Sequence, residues 1–322
     1  MSLRTPPIAA LVLLAALTAC SGGGTASHLA PAAPAGQSQK HGQEVIGGIG
    51  GLLAILLCDA PPRIGNITPT AINLAVDSVA VVSNGQTVTI AQYPQPYIVN
   101  VLEQQNGNAA DIGIGQYFSG AYQAVQFTFD VAHSQVVNGS TNYPISFLPN
   151  NAAQSSAGAG PTTTSSQPTP GKVTVTVAGN FSIGGDPAAS IQADFNALES
   201  LAFNSNGQIV SRPTLFAVPA SQAGKVDGVV TNSSGSPVSG ATVVALDANG
   251  NVANTTSTDS TGAYDLHTIS AGNYTIVVYN SYTTATGQTV TATGNSNAAQ
   301  SVNGPSVTVN AQETTQAPVI QD

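Results

Sequence analysis

Few side chains in this 322-residue sequence are equipped for chemistry, and their spacing limits what they could do. His41-Gly42-Gln43-Glu44 has the His-x-x-Glu spacing of a zinc-binding pair. A zinc site needs a third protein ligand and a rigid shell, and the other histidines, His28, His133 and His267, are scattered. The four glutamates, Glu44, Glu103, Glu199 and Glu313, show no spacing that would pair two carboxyls as glycosidic chemistry requires. Asp59 precedes Pro61 after an apolar run, a position where a carboxylate accepts backbone N–H bonds and forms a turn. Asp247-Ala248-Asn249-Gly250-Asn251 begins like a calcium loop but lacks the downstream bidentate acid, so Asn249-Gly250 reads as a hairpin turn. No catalytic residue, metal ligand set or cofactor is therefore expected.

Two tyrosine clusters are the candidate ligand-binding residues: Tyr93 and Tyr97 in Tyr93-Pro94-Gln95-Pro96-Tyr97, and Tyr279 and Tyr282 in Tyr279-Asn280-Ser281-Tyr282. In a chain without Trp, these rings could stack on sugars, or they could half-bury and cover strand ends. Of the two cysteines, Cys58 ends the apolar run Leu52–Cys58 and reads as a small buried hydrophobe, with a reactive thiol as the alternative. Cys20 stands apart, after the short apolar run Ile8–Leu17 and before Ser21-Gly22-Gly23-Gly24.

The elements that must carry these residues are strands. Period-two alternation places Val125, Phe127, Phe129 and Val131 inward against Gln126, Thr128 and Asp130. It does the same for Val173, Val175 and Val177, and for Ile191, Ala193, Phe195 and Ala197 against an outward Gln192, Asp194 and Asn196. Tyr264 and Leu266 likewise oppose Asp265 and His267. Asn84-Gly85 marks a tight hairpin. No long 3.6-residue pattern appears, although Leu198–Phe203 and the region of Val101-Leu102 could hold a helical turn. An all-β chain is expected, with residues 20–48 a flexible tether, 49–220 a first β-domain containing a low-complexity excursion at 150–171, 224–312 a second, and 313–322 a tail.

Charged residues make up only 7% of the chain, and the formal charge is -9. So few fixed cations cannot neutralise a run of phosphates, which argues against nucleic-acid partners. With Cys20 and Cys58 alone, no disulfide framework follows.

Three resemblances add to this reading. Arg4, the apolar run and Leu17-Thr18-Ala19-Cys20 resemble a bacterial lipoprotein signal. That resemblance implies removal of residues 1–19, lipidation of Cys20, and export to a membrane-anchored address at the outer membrane or cell surface. The stretch from Gly51 to about Pro219 resembles the unknown-function family numbered 4382. The resemblance rests on Leu57-Cys58-Asp59-Ala60-Pro61, Ala71-Ile72-Asn73-Leu74, Ser119-Gly120-Ala121-Tyr122-Gln123, Asp194-Phe195-Asn196-Ala197 and Arg212-Pro213-Thr214-Leu215. Gly224 to about Gln312 resembles a carboxypeptidase regulatory-like domain. This rests on Gly228-Val229-Val230, Gly235–Val243, Thr258–Leu266 and Ala271–Ile276. It implies a seven-stranded transthyretin-like sandwich of the starch-binding-like group. The expected function is a non-catalytic envelope lipoprotein that binds or adheres, with glycans and envelope proteins as candidate partners. A structural spacer, and an accessory protein of an envelope peptidase, stand as the alternatives.

Overall fold

The computed structural model describes residues 49–58, 64, 67–104, 108–118, 120–148, 163–183, 188–284, 286–292 and 301–321, with backbone alone at 49–51, 117–118, 168 and 188. The Cys20 motif, the tether, the His41–Glu44 pair and Asp59 lie outside these residues. What is described is almost entirely β, as the alternating patterns require.

The first domain runs through β1 (Ile49–Cys58), β2 (Ala71–Ser83), β3 (Gln86–Asn100), β4 (Ala110–Phe118), β5 (Gly120–Asp130), β6 (Gln135–Asn138) and β7 (Thr141–Phe147). It continues with β8 (Thr163–Thr169), β9 (Lys172–Ile183), β10 (Ala188–Phe195), α1 (Ala197–Ser200), β11 (Leu201–Phe203), β12 (Ile209–Ser211) and β13 (Leu215–Pro219). Strands β13-β10-β1-β4 form a small sheet in which β1 and β10 are parallel. It packs on a nine-stranded sheet ordered β11-β12-β7-β6-β2-β5-β9-β8, with β3 paired to β2. Leu53, Ile55 and Leu57 from β1 meet Val125, Phe127 and Phe129 from β5 in one apolar core. Asn84 and Gly85 turn β2 into β3 with φ of 50° and 74°, the left-handed pair that matches strand twist in a two-residue hairpin.

The second domain comprises β14 (Ala223–Thr231), β15 (Thr242–Leu246), β16 (Val252–Ser257), β17 (Ala263–Ser270), β18 (Gly272–Tyr279), β19 (Ser281–Thr283), β20 (Thr289–Thr291), β21 (Ser301–Val309), β22 (Thr314–Gln316) and β23 (Ile320–Gln321). One sheet centres on β14, flanked by β17, β22 and β23, and the other runs β16-β15-β18-β21. With the β19-β20 ribbon this exceeds the seven strands expected. Asp247 and Asp259 cap turns by accepting backbone N–H bonds, at 2.8 Å from both Asn249 and Asn251 and at 2.7 Å from Thr261. Asp247–Asn251 is thus the β15–β16 hairpin turn that its sequence suggested.

Two expectations are corrected here. Thr163–Thr169, assigned to the excursion, is an edge strand on β9, where Thr163 Oγ1 donates to Leu215 O at 3.0 Å. The expected tail supplies β22 and β23, both parallel to β14, and Ile320 is buried in the second core. Its polar-rich composition concealed one apolar anchor.

Candidate functional site

The outer face of the small sheet carries the residues that matter. On β1, Leu53, Ile55 and Leu57 point into the core, so Leu52, Leu56 and Cys58 point the other way. Burial on that outer face rises along the strand, from Leu52 at 39% exposed to Cys58 at 0%. The parallel register sets Cys58 beside Asp194 of β10, on the same face. The outward positions Gln192, Asp194 and Asn196 were expected to meet solvent. They are buried instead, because the second domain covers them. His267, expected outward on β17, is buried from the opposite side for the same reason.

What results is a polar layer shared between the domains. Cys58 Sγ donates to Ala193 O at 3.2 Å and lies 3.3 Å from Thr268 Oγ1 and 3.7 Å from His267 Nδ1. Gln192 Nε2 donates to the sulfur at 3.6 Å. Asn254 Nδ2 donates to Asp194 Oδ2 and to His267 O, both at 2.7 Å, while its Oδ1 accepts from Asn196 Nδ2 at 3.0 Å and Thr255 N at 2.7 Å. Asn196 Nδ2 also donates to Thr255 Oγ1 at 2.8 Å, and Thr255 Oγ1 donates to Glu199 Oε1 at 3.4 Å. Groups this deeply desolvated persist only when hydrogen-bonded. Thr268 adds a backbone feature: its φ is 57°, rare for a β-branched residue, at an irregularity in the β14–β17 ladder.

The electrostatics follow from burial and proximity. Burial raises the Asp194 carboxyl above its usual range, against the opposing pull of His267 and the Asn254 donor. Burial alone would lower His267, but the Cys58 sulfur and the Asp194 carboxyl outweigh it and hold the imidazole well above its ordinary value. Close by, Lys225 bridges Asp265 at 2.9 Å and Asp227 at 3.1 Å. One donor atom each from Cys58, Asp194 and His267 lies within 4.8 Å of the others, a sulfur, nitrogen and oxygen set of the kind that holds a metal ion. The reading of Cys58 as a buried hydrophobe is thus half right: the residue is buried, but its thiol is engaged in a polar cluster.

The four candidate tyrosines are not brought together. Tyr93 and Tyr97 stack at 5.4 Å with planes 23° apart and pack against the first core. Tyr93 Oη donates to Ile112 O at 3.0 Å, and burial, with Asp111 nearby, pushes its phenol up to about 12. Tyr279 and Tyr282 sit 5.4 Å apart and tilted by 58°. They join Leu246, Val244 and Val252 around Phe216 of the first domain, a small apolar cluster across the same junction. Burial, then the charge of Glu199 and a hydrogen bond to it, raises the Tyr282 phenol far above its usual range. Beside this junction an open cleft of about 580 Å³ is lined by Asn180, Phe216, Asn251, Thr268 and Tyr274, among others.

Residues 50–213 match the family described as Domain of unknown function (DUF4382), a little over half of the chain. The chain belongs to the DUF4382 family. In this DUF4382 protein, residues 225–319 further match the Carboxypeptidase regulatory-like domain, which takes in β22, stops just short of β23, and gives the same domain order as the sequence motifs. No curated protein matches the chain. Among solved structures it is similar to BcpA, the major pilin subunit of Bacillus cereus, at 12% identity, TM-score 0.24, with 84% of this chain and 98% of that one covered. It is also similar to GBS52, the minor pilin in Streptococcus agalactiae, at 12% identity, TM-score 0.22, with 84% and 96% covered. The shaft pilin SpaA from Lactobacillus rhamnosus GG follows at 10%, 0.22, 84% and 95%. Scores this low carry no argument about what this DUF4382 protein does.

Proposed function

We propose that this protein is a non-catalytic structural module of the cell envelope: two β-sandwiches joined into one stiff unit that holds its distal surface away from a membrane, with Cys20 as the lipid-bearing anchor. The observation that carries this reading is the domain junction. The connection from β13 to β14 is only the helical turn Ala220–Gln222, and Ala271 N donates to Gln222 O at 3.0 Å across it. The buried polar layer and the Phe216 cluster then tie the domains side to side. Domains joined by a free linker swing relative to one another, whereas a desolvated, hydrogen-bonded interface has no such freedom. The candidate tyrosines are occupied by packing, which supports a spacer over a ring platform for sugars.

The test is a distance distribution between spin labels placed at Asn138 in the first domain and Thr286 in the second. One narrow distance is expected, and a broad distribution would remove the stiff-spacer reading. Mass spectrometry of the mature N-terminus in the native host tests the anchor, where an unmodified Cys20 ends that part.

A second reading rests on the junction cleft. Asn180, Asn251, Gln123 and Asp247 line it beside the edges of the buried Phe216 and Tyr274 rings, a set of amides and a carboxylate suited to sugar hydroxyls. Polysaccharide pull-downs with wild-type protein and Asn251→Ala decide it: retention lost in the variant supports a site there, and equal or no retention removes it.

A further inference from the structure

We propose that Cys58, Asp194 and His267 form a zinc-type metal site that joins the two domains, the first two residues supplied by one sandwich and the third by the other. This goes beyond the spacer reading and does not depend on it.

Three observations carry the proposal. The first is the donor geometry. With Zn–S about 2.3 Å and Zn–N about 2.0–2.1 Å, a tetrahedral site has a sulfur–nitrogen edge of about 3.6 Å. Cys58 Sγ and His267 Nδ1 are 3.7 Å apart. Thr268 Oγ1, 3.3 Å from that sulfur and 3.1 Å from that nitrogen, stands where a fourth oxygen donor or its bound water would sit. The second is an unmet demand. Asp194 is 0% exposed, yet its Oδ1 has no hydrogen-bond partner among the described residues. A buried carboxyl oxygen left unpaired is costly, and a cation satisfies it. The third is charge. A thiolate, a carboxylate, a neutral imidazole and a divalent ion sum to zero, so the cluster can be buried without a net charge.

The donor types name the metal class. Thiolate with imidazole favours Zn²⁺ or its surrogate Co²⁺, whereas Mg²⁺ and Ca²⁺ demand oxygen donors. The three donors are buried and come from both domains, so an ion among them would tie the two sandwiches together. Binding releases both the Cys58 thiol proton and the His267 imidazolium proton to solvent, in exchange for the metal–sulfur and metal–nitrogen bonds, and no electrons are transferred. The Ala193 carbonyl loses that donor and keeps its place in the sheet. Thr268 lines the junction cleft, which gives an ion a path to the cluster.

The experiment loads the full-length protein, freed of metal by chelator, with Co²⁺. Tetrahedral cobalt bound to one thiolate shows a near-ultraviolet sulfur-to-metal band and intense visible bands, and the expected stoichiometry is one per chain. Both features should survive in Cys20→Ser and vanish in Cys58→Ser. In His267→Gln the affinity should fall about 100-fold or more. Circular dichroism identifies variants that fold. Should a site variant fail to fold, wild-type protein alone still decides: zinc must raise its melting temperature, as any ligand of the native state does. No cobalt band, a band that persists in folded Cys58→Ser, or no zinc-dependent shift overturns the site and leaves the cluster a hydrogen-bonded polar layer. The label-distance measurement of stiffness is read separately on metal-free protein, so failure of one reading does not imply failure of the other.

Discussion

Asn254 is the side chain on which the domain junction turns, and Asn254→Ala is the perturbation that tests it. The amide is 1% exposed and makes four hydrogen bonds, two donated and two accepted, so its orientation is unambiguous. Truncation to alanine leaves Asp194 Oδ2 without that donor and the Thr255 N–H without that acceptor, in a layer that water does not reach. Each net hydrogen bond contributes about 1 kcal/mol, and a buried polar group left unsatisfied costs about 1–3 kcal/mol. The loss should be about 3–5 kcal/mol, a large part of the 5–15 kcal/mol typical of a folded domain. Metal-free protein is used, so that Asp194 responds to Asn254 alone. Guanidinium unfolding is followed by tyrosine fluorescence and by far-ultraviolet circular dichroism. The wild type should unfold with coincident transitions, because neither domain exposes this layer without the other. Asn254→Ala should shift the midpoint down and separate the two transitions. The double variant Asn254→Leu/Asp194→Leu should recover part of the loss, because it removes the carboxylate that the single variant strands while the Thr255 N–H and the His267 carbonyl stay without their partners. A cost under about 1 kcal/mol with coincident transitions would falsify the view that this amide couples the domains.

Three further outcomes follow from single positions. Gly262→Ala should destabilise the second domain by about 2 kcal/mol or more in urea unfolding, because Gly262 has a φ of 76° and an added Cβ would collide with Val230 O; an unchanged midpoint would contradict the turn geometry. Ile320→Ala should cost about 2–4 kcal/mol if the last strand is part of the core, and nothing if residues 313–322 are a loose tail. Ultraviolet titration should show one phenol near 12 that moves out of the profile in Tyr93→Phe. Because burial raises this group in the folded state, its contribution to stability is fully present below the unfolded value of about 10 and is lost as pH rises towards 12. A wild-type profile with every tyrosine near 10 would remove that claim.

Much of the fold was legible locally. The alternation at Val125–Phe129 and Val173–Val177 located buried strand faces because a strand repeats every two residues whatever surrounds it. Asn84-Gly85 marked its hairpin because the turn demands two left-handed residues. The turn Val101–Glu103 fell where a helical turn was allowed, whereas of Leu198–Phe203 only the first three residues are helical, in Ala197–Ser200, and Leu201–Phe203 is a strand. The candidate site was not legible. Its members, Cys58, Asp194, Asn254 and His267, are far apart in the chain; Cys58 and Asp194 lie in short stretches that carry the family resemblance, but no spacing links the four. Period two correctly placed Asp194 and His267 on the faces opposite their own cores. It wrongly implied water there, because alternation reports which face a residue is on and is silent about what covers that face.

The sequence by itself determined that this is a two-domain β chain with few charges, and its resemblance to a lipoprotein signal made Cys20 the expected site of lipidation. Those properties are composition, period and contiguous motif, all carried by neighbours in the chain. Only the tertiary structure decided that two polar strand faces meet and exclude water, that Tyr279 and Tyr282 pack around Phe216, and that a thiol, a carboxyl and an imidazole share one buried space. Docking one sandwich against another is a relation between distant surfaces, and no local pattern along the chain encodes it.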